Sequence, residues 1–158
     1  IYVSVRIRSQ NLFQAAAIVS KGISALGKEF RMGGFVNERS RGGFTNFISV
    51  LATKNNTTVT FKNNISGIKV DNFTGTFPFN ITLQEGESYM ISVSDRNGGN
   101  PNDLIGTLVE TNENVVVNTG SAQGTFSGNS NGRDYGIDQM VDASKIGSEY
   151  IFVRFYQE

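Results

Sequence analysis

The chain of 158 residues carries 14 basic and 14 acidic side chains and contains no Cys, His or Trp. Its length fits one domain, or one domain and a piece of another, and its balanced charge argues against a nucleic-acid or anionic-membrane partner. Without Cys and His, the sequence excludes disulfides, the common zinc sites and His- or Cys-based catalytic pairs. No apolar run of the sequence reaches the roughly 20 residues that a membrane span needs.

The N-terminal part of the chain begins with a clear strand pattern. Polar and apolar side chains alternate from Tyr2 to Ile7, which predicts a half-buried strand. Residues 11–24 leave two interpretations open. They form either a short helix that ends at Lys21-Gly22, or a loop that crosses one end of a sandwich.

The next strand and the charged loop behind it are interrupted by glycine. Glu29 to Phe35 predicts a strand with a bulge at Gly33-Gly34. Residues 37–43 follow as a charged loop, in which Arg39 and Arg41 either bind an anion or lie at a solvated tip.

The central stretch, residues 46–61, has the period-two alternation of two strands joined by the polar turn Lys54-Asn55-Asn56. It therefore predicts a β-hairpin, because Asn tolerates the positive φ of tight turns. The same pattern predicts a short strand at 66–70 and two further hairpins at 80–93 and 104–118.

The aromatic residues around Pro78, which are Phe73, Phe77 and Phe79, favour a place in the core over an exposed carbohydrate platform. Residues 119–134 are rich in Gly, Ser and Asn and predict a loop, and 149–155 alternates as a last strand. Sequential hairpins with few helical signals predict an all-β fold, an antiparallel and jelly-roll-like β-sandwich of about eight strands. A β-propeller of four-stranded blades is the alternative.

The two ends of the chain resemble each other. Residues 26–30 (LGKEF) match 146–150 (IGSEY), each copy precedes a predicted strand, and each follows a strand and a loop. A period near 120 residues indicates tandem copies of a whole domain. We therefore expect 1–25 to end one repeat, 26–145 to be a full repeat, and 146–158 to begin the next.

An ordered set of short stretches resembles the IgGFc-binding domain family, which is common in large secreted surface proteins of Bacteroidota. In those proteins it often lies upstream of a gliding-motility-associated, type IX sorting domain. The resemblance implies an extracellular or cell-surface, non-catalytic, β-rich module, and it does not by itself imply immunoglobulin binding. The similar stretches are 25–30, 46–61, 81–91, 104–109, 115–121 and 132–152.

One loop has the composition of a calcium site. Hard oxygen donors fall within nine residues, and calcium prefers six to eight oxygen ligands. An ordinary loop of Asx turns is the alternative, because the spacing is not that of an EF-hand. The candidate ligands are Asp95, Asn97, Asn100, Asn102 and Asp103.

Catalysis would have to rely on carboxylates alone. Asp134 and Asp138 are the candidates for a glycosidase pair. Ion pairs and loop-pinning hydrogen bonds with Arg133 are the alternative, and we favour them because nothing in the sequence frames a cleft.

Three functions follow in order of preference. The first is a non-catalytic structural or adhesive module that contacts protein or glycan on a surface through the loops at the ends of the sandwich. The second is a carbohydrate-binding module with exposed Tyr or Phe side chains, and the third is a carboxylate-only glycosidase. The apolar strand 149–155 also predicts self-association, by pairing with strand 2–7 or with an edge of another copy.

Overall fold

The computed structural model describes residues 3–8, 10, 15–36, 43–71, 73–124 and 134–149. Nine strands run through these residues, and every pair of neighbouring strands is antiparallel. The helical segments of the described residues are four short 3₁₀ turns, at Gly22–Ala25, Asp95–Asn97, Pro101–Leu104 and Ala143–Lys145. The strands are β1 Ser4–Arg8, β2 Ala15–Val19, β3 Gly27–Arg31, β4 Thr45–Ala52, β5 Thr57–Lys62, β6 Phe79–Leu83, β7 Ser88–Ser94, β8 Leu108–Gly124 and β9 Asp134–Gln139.

The 17-residue strand β8 organises the fold. Its first half pairs with β3 and β5, and its second half pairs with β4 and β9. Since β5 also pairs with β6, and β4 with β7, the chain forms two layers, β6-β5-β8-β3 and β7-β4-β8-β9. We call these the first and second layers. The all-β sandwich is confirmed. Seven of the described strands form one sheet around β8 rather than the separate blades of a propeller, and β1 and β2 form a two-stranded sheet of their own.

The core lies between the two layers as one apolar cluster. Inward positions alternate along β4, where Ile48 and Val50 are fully buried. Burial of each such side chain contributes about 1.5–3 kcal/mol. The Phe79 ring packs 5.0 Å from Phe61 and 4.3 Å from Phe73, between ring centroids. The prediction that the aromatic residues around Pro78 belong to the core is therefore confirmed.

None of the three predicted hairpins forms. Two of them consist of strands that pair with other partners, and the third is a single strand. β4 and β5 do not pair with each other, and neither do β6 and β7, because each turn carries the chain from one layer to the other. The third predicted hairpin is a single strand, β8, which continues through residues 111–114. A strand shows the same alternation of side chains whether the next strand in sequence pairs with it or lies in the opposite layer. The alternation therefore did not distinguish a hairpin from a layer crossing.

These layer-crossing turns stack against each other at one end of the sandwich. Asn55 Oδ1 accepts the backbone N–H of Glu85 at 3.1 Å, and Asn112 Oδ1 accepts that of Thr58 at 2.8 Å. The Asn56 backbone, at φ 56°, donates to Gln84 Oε1. Asn55 and Asn56 thus join the two layer-crossing turns to each other, and Asn112 joins the first of these turns to β8.

The N-terminal segment differs from both of its interpretations. Residues 15–19 form neither helix nor loop but the strand β2, which pairs with β1 from Ser4↔Val19 to Arg8↔Ala15. β1 provides a partner strand for this segment, and its β-branched residues Ile18 and Val19 favour extended backbone. The half-buried pattern of β1 is also wrong, because Val3, Val5 and Ile7 are 45–53% exposed.

Several smaller predictions also change. β3 ends at Arg31, so its irregularity falls between Gly27 and Glu29 and not at Gly33-Gly34. Residues 66–70 form no strand, and 119–124 belong to β8. The predictions for Arg39, Arg41, Arg133 and residues 150–158 lie outside the described part of the chain.

Candidate functional site

A polar cleft of about 460 Å³ opens at the end of the second layer. It lies on the outward face, because β4 and β8 turn their apolar side chains inward and leave Thr45 and Ala122 outside. The β7 residues Ser92 and Ser94 continue this face, and the segments around Asp71 and Gly43 close its rim. We call it the loop-end cleft, and it is lined by Gly43, Thr45, Asp71, Ser92, Ser94, Arg96, Asn97, Ala122, Gln123 and Tyr135.

The guanidinium of Arg96 is the cationic group of the cleft. The backbone N–H of Arg96 donates to Ser94 Oγ at 3.2 Å. This bond caps the 3₁₀ turn Asp95–Asn97, which presents the Arg96 side chain. Gly43, at φ 100°, lets the guanidinium and the Gln123 amide lie close to its Cα, where a Cβ would be 2.9–3.0 Å from both. Within the described part of the chain the guanidinium has no ion pair. No described carboxylate thus neutralises its charge, and a guanidinium can offer up to five N–H donors to a ligand.

The carboxylate of Asp71 is fixed in place on the opposite rim. Ser92 Oγ donates to Asp71 Oδ2 at 2.7 Å, and Asn97 Nδ2 donates to Asp71 Oδ1 at 2.6 Å. Each oxygen keeps capacity for a further hydrogen bond. The half-buried ring of Tyr135, on β9, adds an aromatic surface to the same cleft. The cleft thus offers a cation, a carboxylate, amides and one aromatic ring.

The five candidate calcium ligands are divided between two 3₁₀ turns. Asp95 Oδ1 accepts the backbone N–H of Gly43 at 2.6 Å, and Asn97 contacts Asp71 beside the cleft. In the second turn, Asn100 Nδ2 donates to Asp103 Oδ1 at 2.7 Å, and Asn100 Oδ1 accepts the backbone N–H of Asn102. Within the described ranges no three acidic side chains cluster as metal ligands. Calcium binding stays a prediction.

The two candidate catalytic carboxylates are held apart on β9. Four residues of extended strand separate them by about 13 Å, which exceeds the roughly 5–10 Å of a glycosidase pair. Asp134 Oδ1 accepts the backbone N–H of Ala15 at 2.5 Å, and Asp138 forms a 2.7 Å salt bridge with Lys21. Both therefore pin the β1–β2 hairpin to β9.

A buried carboxylate that the sequence did not single out is Asp142. It accepts the backbone N–H groups of Lys28 at 2.6 Å, Glu29 at 3.0 Å and Ser144 at 2.9 Å, and also the Ser144 hydroxyl. Burial acts to raise its pKa, but the Ser144 hydroxyl and the three N–H groups together hold the pKa well below its usual range. The sequence held one signal of this role: Asp142 stands two residues before Ser144, a spacing that favours a side-chain cap at the start of a turn.

A second cavity, of about 480 Å³, separates the β1–β2 hairpin from the second layer. We call it the hairpin groove. Its lining is mainly apolar, with Val3 and Val5 on the hairpin side and Val116 on the layer side. The exposed side chain of Ile23 stands at its edge, 86% accessible.

The tyrosines do not form an exposed planar row among the described residues. Tyr89 is half-buried against the core, and Tyr135 is half-buried in the loop-end cleft. Tyr2, Tyr150 and Tyr156 lie outside the described ranges.

Comparison with known proteins gives one match. Residues 16–158 match the family described as IgGFc binding protein. No curated protein and no solved structure matches the chain. None of the helical segments in the described ranges has the length and apolar character needed to cross a membrane.

Proposed function

Because the chain belongs to the IgGFc-binding protein family, we propose that it is a non-catalytic extracellular binding module. In this proposal it serves a structural or adhesive role within a large bacterial surface protein, as the resemblance to modules of Bacteroidota suggests. The partner is a protein that contacts the loop-end cleft. Two observations oppose an enzyme: Asp134 and Asp138 are far apart, and each is occupied by a structural contact.

The observation that carries the proposal is the Arg96 guanidinium, which forms no ion pair with a described residue, in one cleft with the Tyr135 ring. Arg and Tyr are enriched at the energetic centres of protein interfaces. Both are presented by short turns and strand ends that the sandwich holds in place. Asp71 on the facing rim is already oriented by Ser92 and Asn97, so a partner with a basic group meets a fixed carboxylate.

A second candidate is carbohydrate binding in the same cleft. An aromatic ring supplies a surface for the apolar face of a sugar, and amide and carboxylate groups match its hydroxyls. Tyr135, Asp71, Asn97 and Gln123 provide these groups together.

The immunoglobulin Fc fragment is the first partner to test, because the family is described by it and because it carries both a protein surface and a glycan. We expect binding to the intact and the enzymatically deglycosylated fragment, with Arg96→Ala and Tyr135→Ala each weakening the Kd about tenfold or more. Lys62→Ala, on β5 outside the cleft, is the control and leaves the Kd unchanged.

The two candidates give different results in this experiment. Binding that disappears on deglycosylation favours carbohydrate recognition over protein recognition. Binding that is insensitive to Arg96 and Tyr135 contradicts the assignment to the loop-end cleft. An absence of binding to both forms of Fc contradicts the expectation that Fc is a partner of this chain.

A further inference from the structure

The β1–β2 hairpin repeats four consecutive pairs of the β8–β9 ladder. In these pairs the β9 residue lies 120 positions after the β2 residue, and the β8 residue lies 114 positions after the β1 residue. The fifth pair, Arg8↔Ala15, has no counterpart, because the β8–β9 register shifts between Ser121 and Gly124. The matched pairs are Ser4↔Val19 with Asn118↔Gln139, Val5↔Ile18 with Thr119↔Asp138, Arg6↔Ala17 with Gly120↔Ile137, and Ile7↔Ala16 with Ser121↔Gly136.

Backbone hydrogen bonds beyond the strands repeat in the same way. The N–H of Ser20 donates to the Val3 carbonyl at 2.9 Å, and the N–H of Met140 donates to the Val117 carbonyl at 2.8 Å. A 3₁₀ turn then follows each strand, at Gly22–Ala25 and at Ala143–Lys145. The hairpin therefore has the backbone arrangement of a β8–β9 pair without the rest of its layer.

One difference separates the two copies. The inward side chains Val117 and Thr119 of β8 are 1% and 3% exposed, whereas their counterparts Val3 and Val5 are 47% and 45% exposed. In the second layer β4 lies along the other edge of β8, and among the described residues nothing pairs with the corresponding edge of β1. Among the described residues the hairpin thus has a more exposed apolar face than β8–β9, and its β1 edge lacks the partner that β8 has in β4.

We propose that the free edge of β1 accepts a strand with the pattern of β4 from another unit of this fold. The strand runs antiparallel to β1, as β4 does to β8, and its inward residues lie beside Val3, Val5 and Ile7 on the same face of the sheet. The β4 strand of the same chain cannot serve, because β7 and β8 already occupy both of its edges.

The register distinguishes this occupant from residues 149–155. By the repeat, that segment corresponds to β3, and β3 pairs with β8 at Leu108, Val109, Glu110 and Val115. The part of β8 that matches β1 begins at Asn118 and pairs with β4 and β9 instead. A strand equivalent to β3 therefore has no place along β1, whereas a strand equivalent to β4 does.

The test joins a donor copy of residues 43–53 to the N-terminus of the full chain through a flexible Gly/Ser linker of about ten residues. We expect backbone amides of β1 to exchange at least about tenfold more slowly with solvent, and Tm to rise by roughly 3 °C or more. The control carries the same donor with Ile48→Lys and Val50→Lys in the donor copy, which places charge on its inward face.

A second variant, Val5→Lys in β1, keeps the outcome interpretable. Val5 is already half exposed, so the variant should fold, with its β8 amides protected as in the parent chain. The donor should then no longer slow the exchange of the β1 amides or raise Tm. Equal β1 exchange with the active and the charged donor overturns the proposal. It is also overturned if β1 amides are protected in the parent chain and become exposed when residues 150–158 are deleted, because the C-terminal segment would then be the occupant.

Discussion

The carboxylate of Asp142 lies against Gly27, so closely that a Cβ on Gly27 would overlap it. From this position it accepts the N–H groups of Lys28 and Glu29 at the start of β3. The contact joins two segments that are more than 110 residues apart in sequence. The pairing of β3 with β8 is irregular at the same place, between Gly27 and Glu29.

Removal of the Asp142 charge should destabilise the fold. Asp142→Asn keeps the shape but weakens hydrogen bonds made to a charged acceptor, so we expect the free energy of unfolding to fall by about 1–3 kcal/mol. Urea titration measures this change. Asp138→Asn is the matched control, because its side chain is 62% exposed and its loss should cost under about 0.5 kcal/mol. Equal effects of the two substitutions would contradict a special role for Asp142.

The pH dependence of stability should report the same carboxylate. Its pKa is lowered in the folded state, so its contribution is complete above the pKa of an unfolded Asp, near 4, and is lost progressively as pH falls below it. The difference in urea midpoint between the parent chain and Asp142→Asn should therefore be largest at pH 6–7 and should shrink below about pH 4. A difference that is constant from pH 7 to pH 3 argues against this assignment.

Gly27 and Asp142 should be energetically coupled. Gly27→Ala places a methyl group where the carboxylate lies and should cost about 1–3 kcal/mol. In the background of Asp142→Ala the same methyl group has space, so its cost should fall. A double-mutant cycle by denaturant unfolding measures this coupling. Additive effects would show that the two residues act independently.

The calcium hypothesis for residues 95–103 has a thermal test. A ligand that binds only the folded state raises Tm by mass action. Millimolar calcium should therefore raise Tm, a chelator should reverse the change, and Asp103→Asn should reduce it. A Tm that does not differ between calcium and chelator rules out a stabilising site in this loop.

Most strands could be located from the sequence, because the alternation of inward and outward side chains is a property of each strand by itself. Residues 46–52 and 57–62 read correctly as strands since their inward side chains enter one core. Their partners were missed because pairing depends on which layer a turn leads to, and the turn residues Asn55 and Asn56 suit a hairpin and a layer crossing equally. The length of β8 was missed because Asn112 and Asn114 are typical of turns.

The candidate site was less predictable for a related reason. The loop-end cleft combines residues from five separate segments, and no spacing pattern within one segment predicts that the five come together. Arg96 and Asp71 carried no pattern of their own in the sequence. Asp142 was missed because a single Asp has no periodicity, and its partners at Lys28 and Glu29 are brought to it only by the tertiary fold.

The contacts of Asp142 and Lys145 also determine how the domain would respond to tension. Lys145 Nζ donates to the carbonyls of Ser24 and Leu26, beside the bonds from Asp142 to the start of β3. The points where the chain enters and leaves the sandwich at these residues are thus adjacent. A pulling force applied through the flanking segments should therefore load these polar contacts first, together with the bonds from Ala15 and Lys21 to β9. We expect these contacts to break before the strands between them separate.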